Sequence, residues 1–160
     1  PPTVRSVCFH GDYNQPVILP DSLEHVEFGN HFNQPIKLTP NLRRIKFGIE
    51  FNQPITIPDS AREVIFGDLF DQSITLPDNL IKLKIGFYFN RPLKLPSGLL
   101  HINFGHFFNQ PVELPPNVED VYFSAYFNQP VIIPDKVNFL SFGSYFNQPV
   151  TLPKSLYYVC

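Results

Sequence analysis

The tetrapeptide Phe-Asn-Gln-Pro returns along this chain at an unvarying step of 19 residues. Complete copies stand at Phe32–Pro35, Phe51–Pro54, Phe108–Pro111, Phe127–Pro130 and Phe146–Pro149. Degenerate copies hold the same register at Tyr13-Asn14-Gln15-Pro16, Phe70-Asp71-Gln72-Ser73 and Phe89-Asn90-Arg91-Pro92. That makes eight copies without an insertion or deletion. A fixed period near 20 residues marks a solenoid, in which each copy is one coil laid on the last. A unit so small buries its apolar side only on its neighbours, so residues 1–160 form a single solenoid domain.

Counting each coil from the Phe of its motif as position 1 exposes the columns. Position 5 runs Val17, Ile36, Ile55, Ile74, Leu93, Val112, Val131 and Val150, and position 7 is Leu or Ile throughout. Position 14 runs Val26, Ile45, Val64, Leu83, Ile102, Val121, Leu140 and Val159. Position 16 is Phe from Phe9 to Phe142, except for Ile85. Both pairs, 5/7 and 14/16, alternate with the strand period of two and use β-branched or aromatic side chains. The reading is two short strands per coil and no long helix, since nothing repeats at helical spacing.

The punctuation repeats too. Gly follows the second apolar pair at Gly29, Gly48, Gly67, Gly86, Gly105 and Gly143, which implies a positive-φ turn or a close backbone approach. Pro at positions 4 and 8 fixes φ and closes the intervening segment. Asn at position 2 is expected to be buried, its amide stacked on the amides above and below. Asp71 interrupts that column, and because a carboxylate cannot donate, it marks an expected weak point.

Composition narrows the function classes. A formal charge of −2 gives no global attraction to nucleic acid or to an anionic membrane, and no apolar run approaches the roughly 20 residues of a bilayer span. The partners expected are therefore neither nucleic acid nor membrane. Cys8 and Cys160 occupy equivalent positions eight periods apart, far beyond the reach of one disulfide. Two unpaired thiols fit a reducing, cytoplasmic location. The five histidines show no metal-ligand spacing, and no catalytic or cofactor motif is present, so no enzymatic activity, metal or cofactor is expected.

A coil such as Leu38 to Ile55 reads Leu, Pro, Leu, Ile-x-Phe-Gly and then Phe-Asn-Gln-Pro-Ile. This pattern resembles the FNIP repeat family, known from social amoebae and giant viruses of protists. The portion Leu23-Glu24-His25-Val26-Glu27-Phe28 also resembles the strand segment of leucine-rich repeats. The resemblance covers the whole chain. It implies an all-β, leucine-rich-repeat-like solenoid of short parallel strands with an interaction role.

The surface columns carry what individuality the chain has. In a parallel stack, Arg44, Glu63 and Lys82 become vertical neighbours, as do Glu27 and Lys46, and opposite charges pair. Position 19 reads Asp12, His31, Glu50 and Leu69, then turns aromatic at Tyr88, Phe107, Tyr126 and Tyr145. The charged members argue that this position meets solvent, so the aromatic members form an exposed row, widened by Phe87, Tyr122 and Phe139. Contiguous exposed aromatic surface points to an unidentified protein partner. The alternatives are a self-associating structural solenoid and a carbohydrate-binding or enzymatic module using the same rings. The opening Pro1-Pro2 reads as a trimmed start, a fragment without terminal caps. The strands Val7-Cys8-Phe9 and Tyr158-Val159-Cys160 would then offer edges for an end-to-end homo-oligomer.

Overall fold

The computed structural model describes residues 3–160; Pro1-Pro2 lies outside them. Nine strands follow one another along the chain. They are β1 (Ser6–Cys8), β2 (His25–Glu27), β3 (Arg44–Lys46), β4 (Glu63–Ile65), β5 (Lys82–Lys84), β6 (His101–Asn103), β7 (Asp120–Tyr122), β8 (Phe139–Ser141) and β9 (Tyr158–Val159). All pair in parallel in sequence order, each residue opposite the one 19 positions on, as Val26 opposes Ile45 and Ile45 opposes Val64. The described residues contain no helix, hence none long and apolar enough to cross a membrane.

Only one of the two expected strands per coil forms. The segment at positions 5–7 makes no backbone ladder to its neighbours. Its alternation is nonetheless real: Leu38 and Ile57 point inward and are buried, while Ile18 and Ile132 between the inward positions are almost fully exposed. Proline at positions 4 and 8, present in most coils though not at Ser73 and Thr39, contributes to the difference. It removes donors on either side and holds the arm extended, so the arm packs on the core without pairing.

The interior is two parallel columns of rings. At position 16, Phe28, Phe47 and Phe66 stack at centroid separations of 5.4 Å. At position 1, Phe32, Phe51, Phe70 and Phe89 stack at 6.1–6.2 Å. The columns touch across the turn from one coil into the next, as Phe66 and Phe70 do at 4.0 Å. These separations carry a consequence for shape. A pure translation between coils would give every column the same step. Instead the step grows from the roughly 4.8 Å of hydrogen-bonded strands, through position 16, to position 1. Twist about the stack axis would make the central columns the closest, which they are not. The stack therefore bends toward its strands, which form the shorter, concave side.

The glycine column resolves in favour of close approach. Gly11 is the only described residue at clearly positive φ, and it stands outside the column, next to His10. A Cβ on Gly67 would lie 1.7 Å from the Gly48 carbonyl oxygen, and one on Gly86 equally close to that of Gly67. Glycine is there because the backbone of one coil rests on the next.

The asparagine column also differs from expectation. It is half-buried, and exposed at Asn90 and Asn147, and its Oδ1 atoms bond to the backbone and to Gln of the next coil. The Asn33 Oδ1 accepts the backbone N–H of Asn52 at 3.0 Å and the Gln53 side-chain amide at 3.1 Å, and this pattern repeats up the stack. The role is that of acceptor, which a carboxylate fills. Asp71 accepts the Asn90 N–H at a longer 3.4 Å, and Arg91, standing where other coils have Gln, donates to its second oxygen at 3.0 Å. The ladder is re-chemised at this step and stays unbroken.

Candidate interaction surface

The turn at positions 17–19 leaves the strand on the concave side. The backbone N–H at position 19 donates to the position 18 carbonyl of the coil before, as Phe107 does to Phe87 at 3.0 Å and Tyr126 to His106 at 3.2 Å. With the glycine contact beneath, this ladder fixes successive turns at nearly the strand step. Side chains at position 19 therefore sit directly above one another.

In the first coils this column is ionic. The His31 imidazole lies between two carboxylates, with Nδ1 2.7 Å from Glu50 and Nε2 3.3 Å from Asp12. In the later coils it is aromatic. Tyr88 and Phe107 stack at 5.5 Å, Phe107 and Tyr126 at 4.8 Å, and Tyr126 and Tyr145 at 4.8 Å. Tyr88, Tyr126 and Tyr145 are exposed, at 52%, 38% and 58% respectively, while Phe107 is half-buried between its neighbours. Phe87 is exposed and lies edge-on to both Tyr88 and Phe107.

Tyr122 and Phe139 form a second cluster. They meet at 4.5 Å on the outer face of β7 and β8, and Phe139 stacks on Tyr158 at 4.9 Å. Two residues were missed by reading position 19 alone. His106 stacks flat on Phe87 at 4.4 Å, and Tyr158 extends the strand-face cluster. Each stands one 19-residue step beyond a residue already named, His106 beyond Phe87 and Tyr158 beyond Phe139, and that step is the signal that finds them.

Among the described residues, most of the remaining strand face is charged and paired, Lys84 and His25 excepted. Glu63 lies between Arg44, 3.2 Å away, and Lys82, 3.4 Å away; Lys46 pairs with Glu27, and His101 meets Asp120 at 2.7 Å. His101 and His106 serve separate contacts and do not converge. Among the described residues no three His, Cys, Asp or Glu side chains are placed to hold a metal ion, and both cysteines are free and exposed.

Chemically, this surface offers ring edges and tyrosine hydroxyls. The faces inside the row are taken up by stacking, so a ligand meets C–H edges and O–H groups along one rim of a concave sheet.

Residues 32–69, 70–107, 108–145 and 127–159 each match the model of the FNIP Repeat. The chain belongs to the FNIP repeat family. Among solved structures, it is similar to CroV588, a protein of the giant virus CroV described as a novel circular LRR protein. The two are 30% identical with a TM-score of 0.66, over 98% of this chain and 33% of that one. This chain thus spans about a third of the length of that relative. No curated protein matches the chain. The family match and the neighbour establish the leucine-rich-repeat-like FNIP solenoid, built here from coils that leave position 19 free to vary.

Proposed function

We propose that this FNIP solenoid is a non-enzymatic recognition module that takes a protein partner on its concave strand face. The observation that carries the reading is the stacked row Tyr88, Phe107, Tyr126 and Tyr145 along one rim of that face, its three tyrosines exposed around a half-buried Phe107. The row is held in place by backbone ladders and leaves tyrosine edges and hydroxyls to solvent. Such side chains present large contact area at low entropy cost, and Tyr is enriched at interface hot spots. The bend toward the strands supports the same reading, because a circular solenoid such as CroV588 needs every coil to bend, and an arc embraces a convex partner. Face-on stacking of sugar rings gains less support, since the faces within the row are already covered.

The test is replacement of Tyr88, Phe107 and Tyr126 together by Ser. A partner recovered by crosslinking and then purified should bind the native chain, with the variant losing on the order of 100-fold or more in affinity. The variant should still melt cooperatively, since these rings lie outside the two core columns. A variant that is unfolded at assay temperature would show the row to be core, and unchanged affinity would place the interface elsewhere.

A further inference from the structure

The rim opposite the aromatic row holds a different kind of site. Position 12, immediately before each strand, reads Arg5, Glu24, Arg43 and Arg62 in the first coils. Together with Asn41 and Ser60 these residues line a groove of about 450 Å³. Glu24 is its only carboxylate, so three guanidiniums leave two positive charges in excess, in a chain whose net charge is −2.

We propose that this groove binds a phosphoryl dianion between Arg43 and Arg62. On the strand face most cations in successive coils meet an opposite charge, as Arg44 and Lys82 meet Glu63 and Lys46 meets Glu27, with Lys84 standing alone among the described residues. Here Glu24 is engaged by Arg5 at 2.8 Å, and Arg43 and Arg62 follow each other with like charge. Neither has a carboxylate within ion-pair distance among the described residues, and both are exposed. Their coils are one strand step apart, about 4.8 Å, which lets one tetrahedral group span both guanidiniums.

The groove is also preorganised. Arg62 Nη1 donates toward the carbonyls of Asp59, Ser60 and Ala61 at 3.3, 3.0 and 3.1 Å, which fixes the fork and leaves its Nη2 and Nε protons free. Asn41 Nδ2 donates one proton to the Asp21 carbonyl at 2.8 Å and keeps a second. The Ser60 hydroxyl is committed to the Leu42 carbonyl at 2.6 Å, so it steadies the wall and does not compete for the ligand. Arg43 makes no side-chain hydrogen bond among the described residues and is free to close on the anion. A phosphoryl group, with three strong acceptors and up to two charges, suits paired guanidiniums better than a carboxylate does.

This inference stands apart from the aromatic row. The test is NMR titration of the purified chain with inorganic phosphate at constant ionic strength, following the Arg43 and Arg62 Nε–H signals and the backbone amides of Asn41 and Ser60. A saturable shift at these sites is expected, with chloride giving none. Arg43→Gln, which removes no contact within the fold, should weaken binding about tenfold, and Arg62→Gln should do likewise. A second arm uses a phosphoserine peptide of otherwise neutral residues. Tighter binding of the peptide assigns the phosphoryl group to a protein, and equal binding assigns it to a free anion. Linear shifts shared with chloride, or saturable shifts that survive Arg43→Gln, would overturn the site.

Discussion

The first four coils and the last four share one interior and carry different surfaces. Position 19 makes the contrast plain. Asp12, His31 and Glu50 build a carboxylate–imidazole–carboxylate ladder. Tyr88, Phe107, Tyr126 and Tyr145 build a ring ladder on the same backbone position. Position 12 diverges in parallel, from the arginines of the early coils to Ile81, Leu100, Glu119 and Asn138 later. Inside, Phe66 and Phe104 are equally buried, and both lie next to Ile85 in their column. The repeat dictates what touches the neighbouring coil. It leaves free what touches solvent, and that is where a solenoid of near-identical coils can hold a specific site.

The largest effect that could break this comparison lies in the interior. Phe66→Ala and Phe104→Ala should each cost about 3–5 kcal/mol, and the two costs should agree, because each ring has one Phe and Ile85 as its column neighbours. Hydrogen exchange should show protection lost first in the coils flanking each cut. Costs differing by more than about 2 kcal/mol would mean that the halves do not share one interior.

A smaller effect tests the join between the halves. Asn109→Ala removes the acceptor for the Asn128 N–H and the Gln129 amide, at an expected cost of about 1–3 kcal/mol. At the Asp71 step, Arg91→Gln should restore the common chemistry only if Asp71 becomes Asn as well. A double-mutant cycle should therefore give a clear coupling between positions 71 and 91. Additive effects there would show that the Asp71–Arg91 contact does not stand in for the ordinary Asn–Gln one.

Much of this was legible in the residues, for physical reasons that can be named. The unbroken 19-residue step fixes a parallel stack, and apolar recurrence at positions 1, 14 and 16 marks the core. Extended segments at positions 5–7 were also legible, but their pairing was not, since alternation reports burial and says nothing of whether flanking prolines leave donors for a ladder. Gly67 could be read as special from its column, whereas choosing between positive φ and close approach needs the distance to the next coil. The Asn column was recognised, but its role was mistaken, because an amide offers both donor and acceptor and only the contacts of its Oδ1 with the next coil show which is used. The aromatic row followed from one column. The arginine groove did not, as it depends on Asn41 and Ser60 folding back beside position 12.

The smallest expected effect separates the two surfaces by their response to salt. Glu63→Gln removes the charge between Arg44 and Lys82, and these partners are more than half exposed. Its cost should therefore be about 0.2–1 kcal/mol at low salt and should shrink as ionic strength rises, because exposed pairs are screened. Tyr126→Ser removes three ring contacts, stacked ones to Phe107 and Tyr145 and an edge-on one to His106, each aromatic pair being worth roughly 0.5–1.5 kcal/mol. That loss rests on dispersion and water exclusion, so raising the salt should leave it unchanged or slightly enlarge it. Denaturant melts of both variants at low and high salt, against the native chain, measure the difference. Opposite salt trends would show that two chemistries hold equivalent ladders in the two halves. A Tyr126→Ser cost that fell with salt as steeply as that of Glu63→Gln would mean that the aromatic row owes its order to neighbouring charges, and the contrast between the halves would then disappear.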